Sequence, residues 1–291
     1  MDGLSITDLV CPRDYSQFLT GDYDDTRLPV DALKAVYNKN GRELQLIVVP
    51  KYKENINASA KSAWRIRDGW SKPNRIFLHS LDKPNDSMKN SEFGLKYSVF
   101  GNGLDYSLLA FRTWNDNPLY IRKSDLSNLP LVNGEPDLNQ AVVHIFPTVY
   151  RMTVLGIEAA KAKDEFVYRL ESALHLGNRY ISNNYYSTKV HKKNDLNIGI
   201  GADWSPGNDL DVTAQLVFKR ILDYKKDIKD DEDSWIATLR ISKKLMRETL
   251  KLSTMNYFDI SNKSGLVRLS SDYAFTDDLH FVIGTDFFLW A

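Results

Sequence analysis

Residues 195–222 read DLNIGIGADWSPGNDLDVTAQLVFKRIL, and their pattern decides the fold class. Leu196, Ile198, Ile200, Ala202 and Trp204 alternate with Asn197, Gly199, Gly201 and Asp203. Pro206, Gly207, Asn208 and Asp209 supply turn chemistry. Beyond them Leu210, Val212, Ala214, Leu216 and Phe218 alternate with Asp211, Thr213, Gln215 and Lys219. Period-two alternation on both sides of a tight turn predicts two antiparallel strands with one apolar face. Strands of soluble sheets are usually about 5–6 residues long. About 9–11 residues is what a tilted strand needs to cross hydrocarbon, and this hairpin has that reach.

The pattern recurs along the chain. Candidate strands at 30–37 and 43–50 flank the turn NKNG, although VDALKAVY also fits a short helix. Residues 92–100 and 104–114 flank Gly101-Asn102-Gly103, and 148–160 and 165–177 flank a charged turn at 161–164. Residues 235–242 and 249–258 pair through KKLMRE, and 266–275 and 279–290 through 276–278. With the opening hairpin these make about twelve strands, tight turns inside each hairpin and longer polar loops between hairpins. The loops are 51–91, 115–140, 178–194, 223–233 and 259–264. Segregation of short and long connections predicts an all-β fold, an antiparallel up-and-down transmembrane β-barrel occupying residues 1–291 as one domain.

Composition agrees with that class and excludes others. The 291 residues carry zero formal net charge, which gives no reason to expect a nucleic-acid partner. A single cysteine, Cys11, excludes an internal disulfide framework and argues against zinc. Mean hydropathy is −0.39, and the most apolar run, residues 44–50, is too short for a membrane helix. A membrane barrel tolerates this, because only alternate residues face lipid. Fifteen Tyr, 13 Phe and 6 Trp suit long strands and interfacial girdles alike. Met1 leads into DGLSITDLV, with neither basic n-region nor apolar h-region, and the chain stops at FFLWA on the long-loop side. The expectation is an internal piece of a longer barrel, lacking an N-terminal portion and a closing strand.

No catalytic motif emerges. The five histidines lack metal-ligand spacing, and no GxSxG, Walker or paired-Cys motif is present. Gly199 and Gly201 begin a GxG, but Trp204 stands at the third glycine's place, so they read as small lumen-facing positions. No enzyme, metal or cofactor is expected. Asp22, Asp24 and Asp25 with Arg27 form an acidic cluster with two readings, a divalent-cation site or an Asp–Arg network pinning the loop to the wall. If the apolar face meets lipid, the other face lines the pore. It collects Lys96, Arg151, Glu158, Arg169, Glu171, His175, Asp203, Lys219, Arg240, Lys251, Arg268, Asp272 and Asp286. Buried in a soluble core, each charge would cost several kcal/mol unless paired. In a watery lumen they stay hydrated and can pair across strands. Their mixed sign argues against strong ion selectivity.

The N-terminal block, DGLSITDLVCPRDYSQFLTGDYDDTRLPV, resembles the "ADG…TD…P-x-D…D-D-x-R-x-P" block of a large Gram-negative outer-membrane family. That family is known as a domain of unknown function and is similar to the alginate-export porins. The run from Tyr150 through FVYRLESALHLG and ADWSPGNDLDVTAQLVFKRILDY to ATLRISKKLMRETLKLS is similar to its C-terminal strands. Asp8, Pro12, Asp14, Phe18, Asp25, Arg27 and Pro29 match the motif block, as structural or pore-loop positions. The resemblance implies a barrel of about eighteen strands, of which about twelve are present here. It also implies a porin-like channel in the cell outer membrane that passes solutes or exports polymer, contacting outer-membrane lipid and lipopolysaccharide. Hydrophobic small molecules and polysaccharide are the substrate classes suggested by that analogy. A non-transporting scaffold or adhesion barrel, and a soluble β-rich binding protein, are the alternatives.

Overall fold

The computed structural model describes residues 5–16, 26–59, 61–62, 75–101, 103–126, 129–137, 140–184 and 186–290. Its main feature is a 12-stranded sheet, numbered here β1 to β12. The first half comprises β1 (Leu33–Lys39), β2 (Arg42–Val49), β3 (Glu92–Phe100), β4 (Leu104–Trp114), β5 (Arg151–Lys163) and β6 (Phe166–Ile181). The second comprises β7 (Val190–Gly207), β8 (Leu210–Ile221), β9 (Asp233–Leu245), β10 (Leu250–Asp259), β11 (Ser264–Thr276) and β12 (Leu279–Leu289). Each strand pairs antiparallel with its sequence neighbours, so the sheet is a pure up-and-down meander. β1 and β12 are its edges and are not paired with each other; the sheet is open.

Turn chemistry sets the hairpins. Asn40 and Gly41 have φ of 49° and 72°, and Asn208 and Asp209 have 52° and 57°. Two successive left-handed residues make the mirror-image turn whose twist matches the flanking strands. The 92–100 and 104–114 strands fall where the alternation places them. The ambiguous VDALKAVY stretch is extended, with β1 starting at Leu33.

The register keeps one face apolar across many strands. Tyr106, Ala159, Leu170, Ile200, Leu216, Ala237 and Phe258 form one cross-strand row. Ile200 in this row remains 53% exposed and Leu170 42%. Aromatic pairs sit toward both ends of this face. Phe166 stacks near Trp204 by the tight turns, and Phe218 tilts against Trp235 toward the long loops.

The structure departs from the sequence expectation in the loops. Residues 178–181 and 190–194, expected within a polar loop over 178–194, extend β6 and β7, with Ile181 opposite Val190. The two longest loops build a second, three-stranded sheet. In it Val142–Thr148 pairs parallel with Arg75–Leu78 and antiparallel with Leu119–Ser124. Val143 is fully buried, and the Arg122 amide donates to Thr188 Oγ1 at 2.8 Å, tying the small sheet to the segment joining β6 and β7. Short apolar runs without clean alternation hid these strands.

Candidate functional site

Register assigns each predicted pore residue to a face. Lys96, Glu158, Arg169, Glu171, His175, Asp203, Lys219, Arg240, Lys251, Arg268, Asp272 and Asp286 all fall on the face opposite the apolar row. Arg151 does not. It lies opposite Trp114 at an apolar-face position, its guanidinium 5.3 Å from the Trp114 ring centre, and it donates to the backbone carbonyl of Lys89 at 2.9 Å. Its place at the first residue of β5, beside a loop, lets an arginine stand there without entering the apolar band.

Several of the polar-face charges neutralise one another. Lys96 pairs with Glu158, Arg169 with Asp203 and Arg268 with Asp286, and the His280 ring lies 2.8 Å from the Asp272 carboxylate. Alternation carries same-face residues of adjacent strands close together, and the long Lys96 side chain reaches Glu158 over the intervening β4, so opposite charges meet without leaving the sheet.

The densest polar cluster forms around a bulge in β6. Pairing shifts register between His175 and Asn178, and Gly177 takes φ of 80°. The Gly177 amide donates to Asn194 Oδ1 at 2.9 Å, which holds the extra residue in place. A left-handed residue at such a bulge requires glycine, and the bulge re-aims the side chains that follow. Here it brings Asn178 and Tyr180 onto Asp195. Asp195 Oδ2 accepts from Asn178 Nδ2 at 2.6 Å and from the Tyr180 hydroxyl at 2.8 Å. Its Oδ1 accepts from Asn197 Nδ2 at 2.7 Å and lies 3.0 Å from His175 Nδ1. A carboxylate can only accept, so His175 Nδ1 carries a proton toward Asp195 and Nε2 is turned away from it. That Nε2 is shielded from solvent and has no hydrogen-bond partner among the described residues. Tyr150 donates to Asn178 Oδ1 at 2.5 Å and accepts from Asn115 Nδ2 at 2.7 Å, extending the network to the loop after β4.

Asn115, His175, Asn178, Asp195 and Asn197 of this network line a cavity of about 260 Å³, together with Asp116, Lys219 and Arg13. Burial, then the Glu92 and Asp8 carboxylates, push the Asp116 carboxyl up to about 8. At neutral pH Asp116 is therefore mainly a protonated acid, able to donate a hydrogen bond into the cavity. Amides, an imidazole, a carboxylic acid and two cations suit a polar solute or a water chain.

The N-terminal segment covers this face. Glu171 Oε2 accepts from the Ile6 amide at 2.7 Å, the Ser5 hydroxyl at 3.1 Å and the Thr7 hydroxyl at 3.4 Å. Ile6 and Leu9 pack on Met152, Val154 and Ala173, a small apolar patch on the otherwise polar face. Asp8 then bridges Arg13 at 2.7 Å and Arg27 at 2.9 Å.

Other motif-block positions knit the segment to itself. Pro12 O accepts from the Leu28 amide, Asp14 pairs in parallel with Ile56, and Pro29 O accepts from Lys53. Phe18, Asp22, Asp24 and Asp25 lie outside the described residues. Among the described residues, no group of three or more His, Cys, Asp or Glu side chains converges as a metal centre.

Sequence reading missed Asn178, Tyr180, Asp195 and the strap contacts of Ile6 and Leu9. One signal was present: Phe111, Met152, Val154 and Ala173 are apolar at polar-face positions, which implies that something covers them. No family model, curated protein or solved structure matches the chain.

Proposed function

We propose that this chain forms most of an outer-membrane β-barrel channel, its charged face turned to the lumen, and that it passes polar solutes without catalysis. The carrying observation is the apolar face, on which large side chains stay exposed along consecutive strands, whereas soluble monomers rarely expose a contiguous apolar patch of more than a few hundred Å². Aromatic residues toward both ends of that face suit the two membrane–water interfaces. With an even number of strands in a meander, β1 and β12 run antiparallel, so the open edges can join directly or through added strands. Lipid and lipopolysaccharide would cover the apolar face in the outer membrane. The likeness of the N-terminal block to an outer-membrane family supports the same reading.

The strap across the polar face favours a second reading, a plugged scaffold barrel. Two measurements separate the readings. The first is electrophoretic migration of the folded chain in detergent, with and without boiling. The second is conductance in planar bilayers. A channel gives faster unboiled migration and ion conductance; a scaffold gives the shift without conductance. Absence of the shift, with the protein remaining in the aqueous fraction, would sink both.

A further inference from the structure

We infer that His79 and His144 form a two-imidazole chelating site for a borderline divalent transition-metal ion such as Cu2+, Ni2+ or Zn2+. The site is independent of the channel reading. It stands on the small three-stranded sheet, whose other face buries Val143 and Ile145. His144 is in register with Phe77, and the His79 amide continues the parallel ladder by donating to the Ile145 carbonyl at 2.9 Å. These backbone bonds put both imidazoles on the outward face.

Their rings are held by neighbours. His144 stacks on Phe77 at 5.3 Å between centres and 17°, and His79 on Phe146 at 4.2 Å and 9°. The stacking points His79 Nε2 and His144 Nδ1 at each other, 3.0 Å apart. Two imidazole nitrogens bound to one ion at about 2.0–2.1 Å lie about 2.9 Å apart at a right angle and about 3.4 Å apart in a tetrahedron. The pair therefore already has the spacing of adjacent ligands. Without metal, one nitrogen donates its proton to the other. To bind, one ring moves its proton to its remote nitrogen and both rings turn off the N···N line, so that the two lone pairs converge on one ion. Water fills the other positions. Lys123, across from His144, keeps its ammonium 5.4 Å from the Phe146 ring centre, a nearby cation the geometry must tolerate.

The test is calorimetric titration of Cu2+ alone into the full folded chain in detergent. One saturable ion per chain is expected, with a paramagnetic resonance spectrum of two equatorial nitrogens. His79→Ala and His144→Ala should each weaken binding at least tenfold, while His191→Ala, whose ring lies against Asp227, leaves it unchanged. Far-ultraviolet circular dichroism checks that the variants keep the strand content of the parent. Lack of saturable binding overturns the proposal, as does binding that survives both variants or that depends on only one of the two histidines.

Discussion

Glu171 Oε2 accepts the backbone amide of Ile6 at 2.7 Å, joining positions 165 residues apart in the sequence. Glu171 projects from the middle of β6, and its carboxylate is the anchor to which the N-terminal strap is tied. Because the acceptor is ionised and takes several donors, the contact is of the stronger kind, about 1.5–3 kcal/mol for a charged hydrogen bond. Glu171→Ala should raise amide exchange at residues 5–9 at least tenfold, leaving exchange in β7 and β8 unchanged. In a conducting channel the same variant should raise unit conductance. Unchanged exchange at Ile6 would show that the strap is held elsewhere.

Gly199 faces Glu171 across the β6–β7 ladder, and its missing side chain is what seats Ile6. A Cβ there would approach Ile6 Cδ1 to 2.9 Å, closer than carbon atoms tolerate. Gly199→Leu should expel Ile6 while β7 itself, extended at this point, gains β-propensity. The expected outcome is strap release like that of Glu171→Ala, with thermal stability of the sheet unchanged or slightly higher. Since both residues act on one contact, the double variant should release no more than either single change. Full additivity would mean that the two sites act independently.

The sheet was legible because its signal is long and redundant. In β7 and β8 every second residue from Leu196 to Trp204 and from Leu210 to Phe218 is apolar, and one slip of register would turn them all to the wrong face. The same alternation puts Lys96, Arg169 and Asp286 on the face opposite the apolar row, where the register has them. It failed at Gly177, where a left-handed bulge residue interrupts the period and looks like a strand end. The buried cluster of Asn178, Tyr180 and Asp195 was lost with it. Arg151 was assigned to the wrong face because it begins its strand, where few neighbours fix the phase. The strap contacts join residues far apart in the sequence, so local pattern carries no trace of them. Only the misplaced Met152, Val154 and Ala173 announce that the polar face has a cover.

A charged pair ties the edge strand β12 to β11 beside its backbone ladder. Arg268 Nε donates to Asp286 Oδ1 at 2.8 Å and Nη2 to Oδ2 at 3.1 Å, a two-pronged contact between β11 and β12. β12 has a neighbour on one side only, and most of its residues are exposed. Asp286→Ala should cost about 1 kcal/mol, the upper range for a partly exposed pair. The loss should appear as faster amide exchange confined to β12 and the 264–268 stretch of β11. Asp286→Asn, which keeps one acceptor, should lose about half as much. Equal exchange in all three proteins would show that backbone pairing alone holds the edge.

Asp116 predicts the pH response. Its carboxyl, at 3.8 when unperturbed, is pushed up to about 8, first by burial and then by Glu92 and Asp8. Between about 4 and 8 the folded chain therefore holds a proton at Asp116 that the unfolded chain has released. The slope of unfolding free energy with pH is negative wherever the folded state binds more protons. Stability from this group is fully present below pH 4 and is lost as pH rises through 8, by at most about 1.4 kcal/mol per unit. Asp116→Asn removes the ionisation and keeps an amide that can donate into the cavity. The variant should match the parent near pH 4, be more stable than it near pH 9, and show a flatter profile between. Denaturant titrations at several pH values measure this directly. A parent profile that rises from pH 5 to 8, or one unaltered by Asp116→Asn, would mean that Asp116 is ionised in the folded chain and that the cavity floor carries a negative charge.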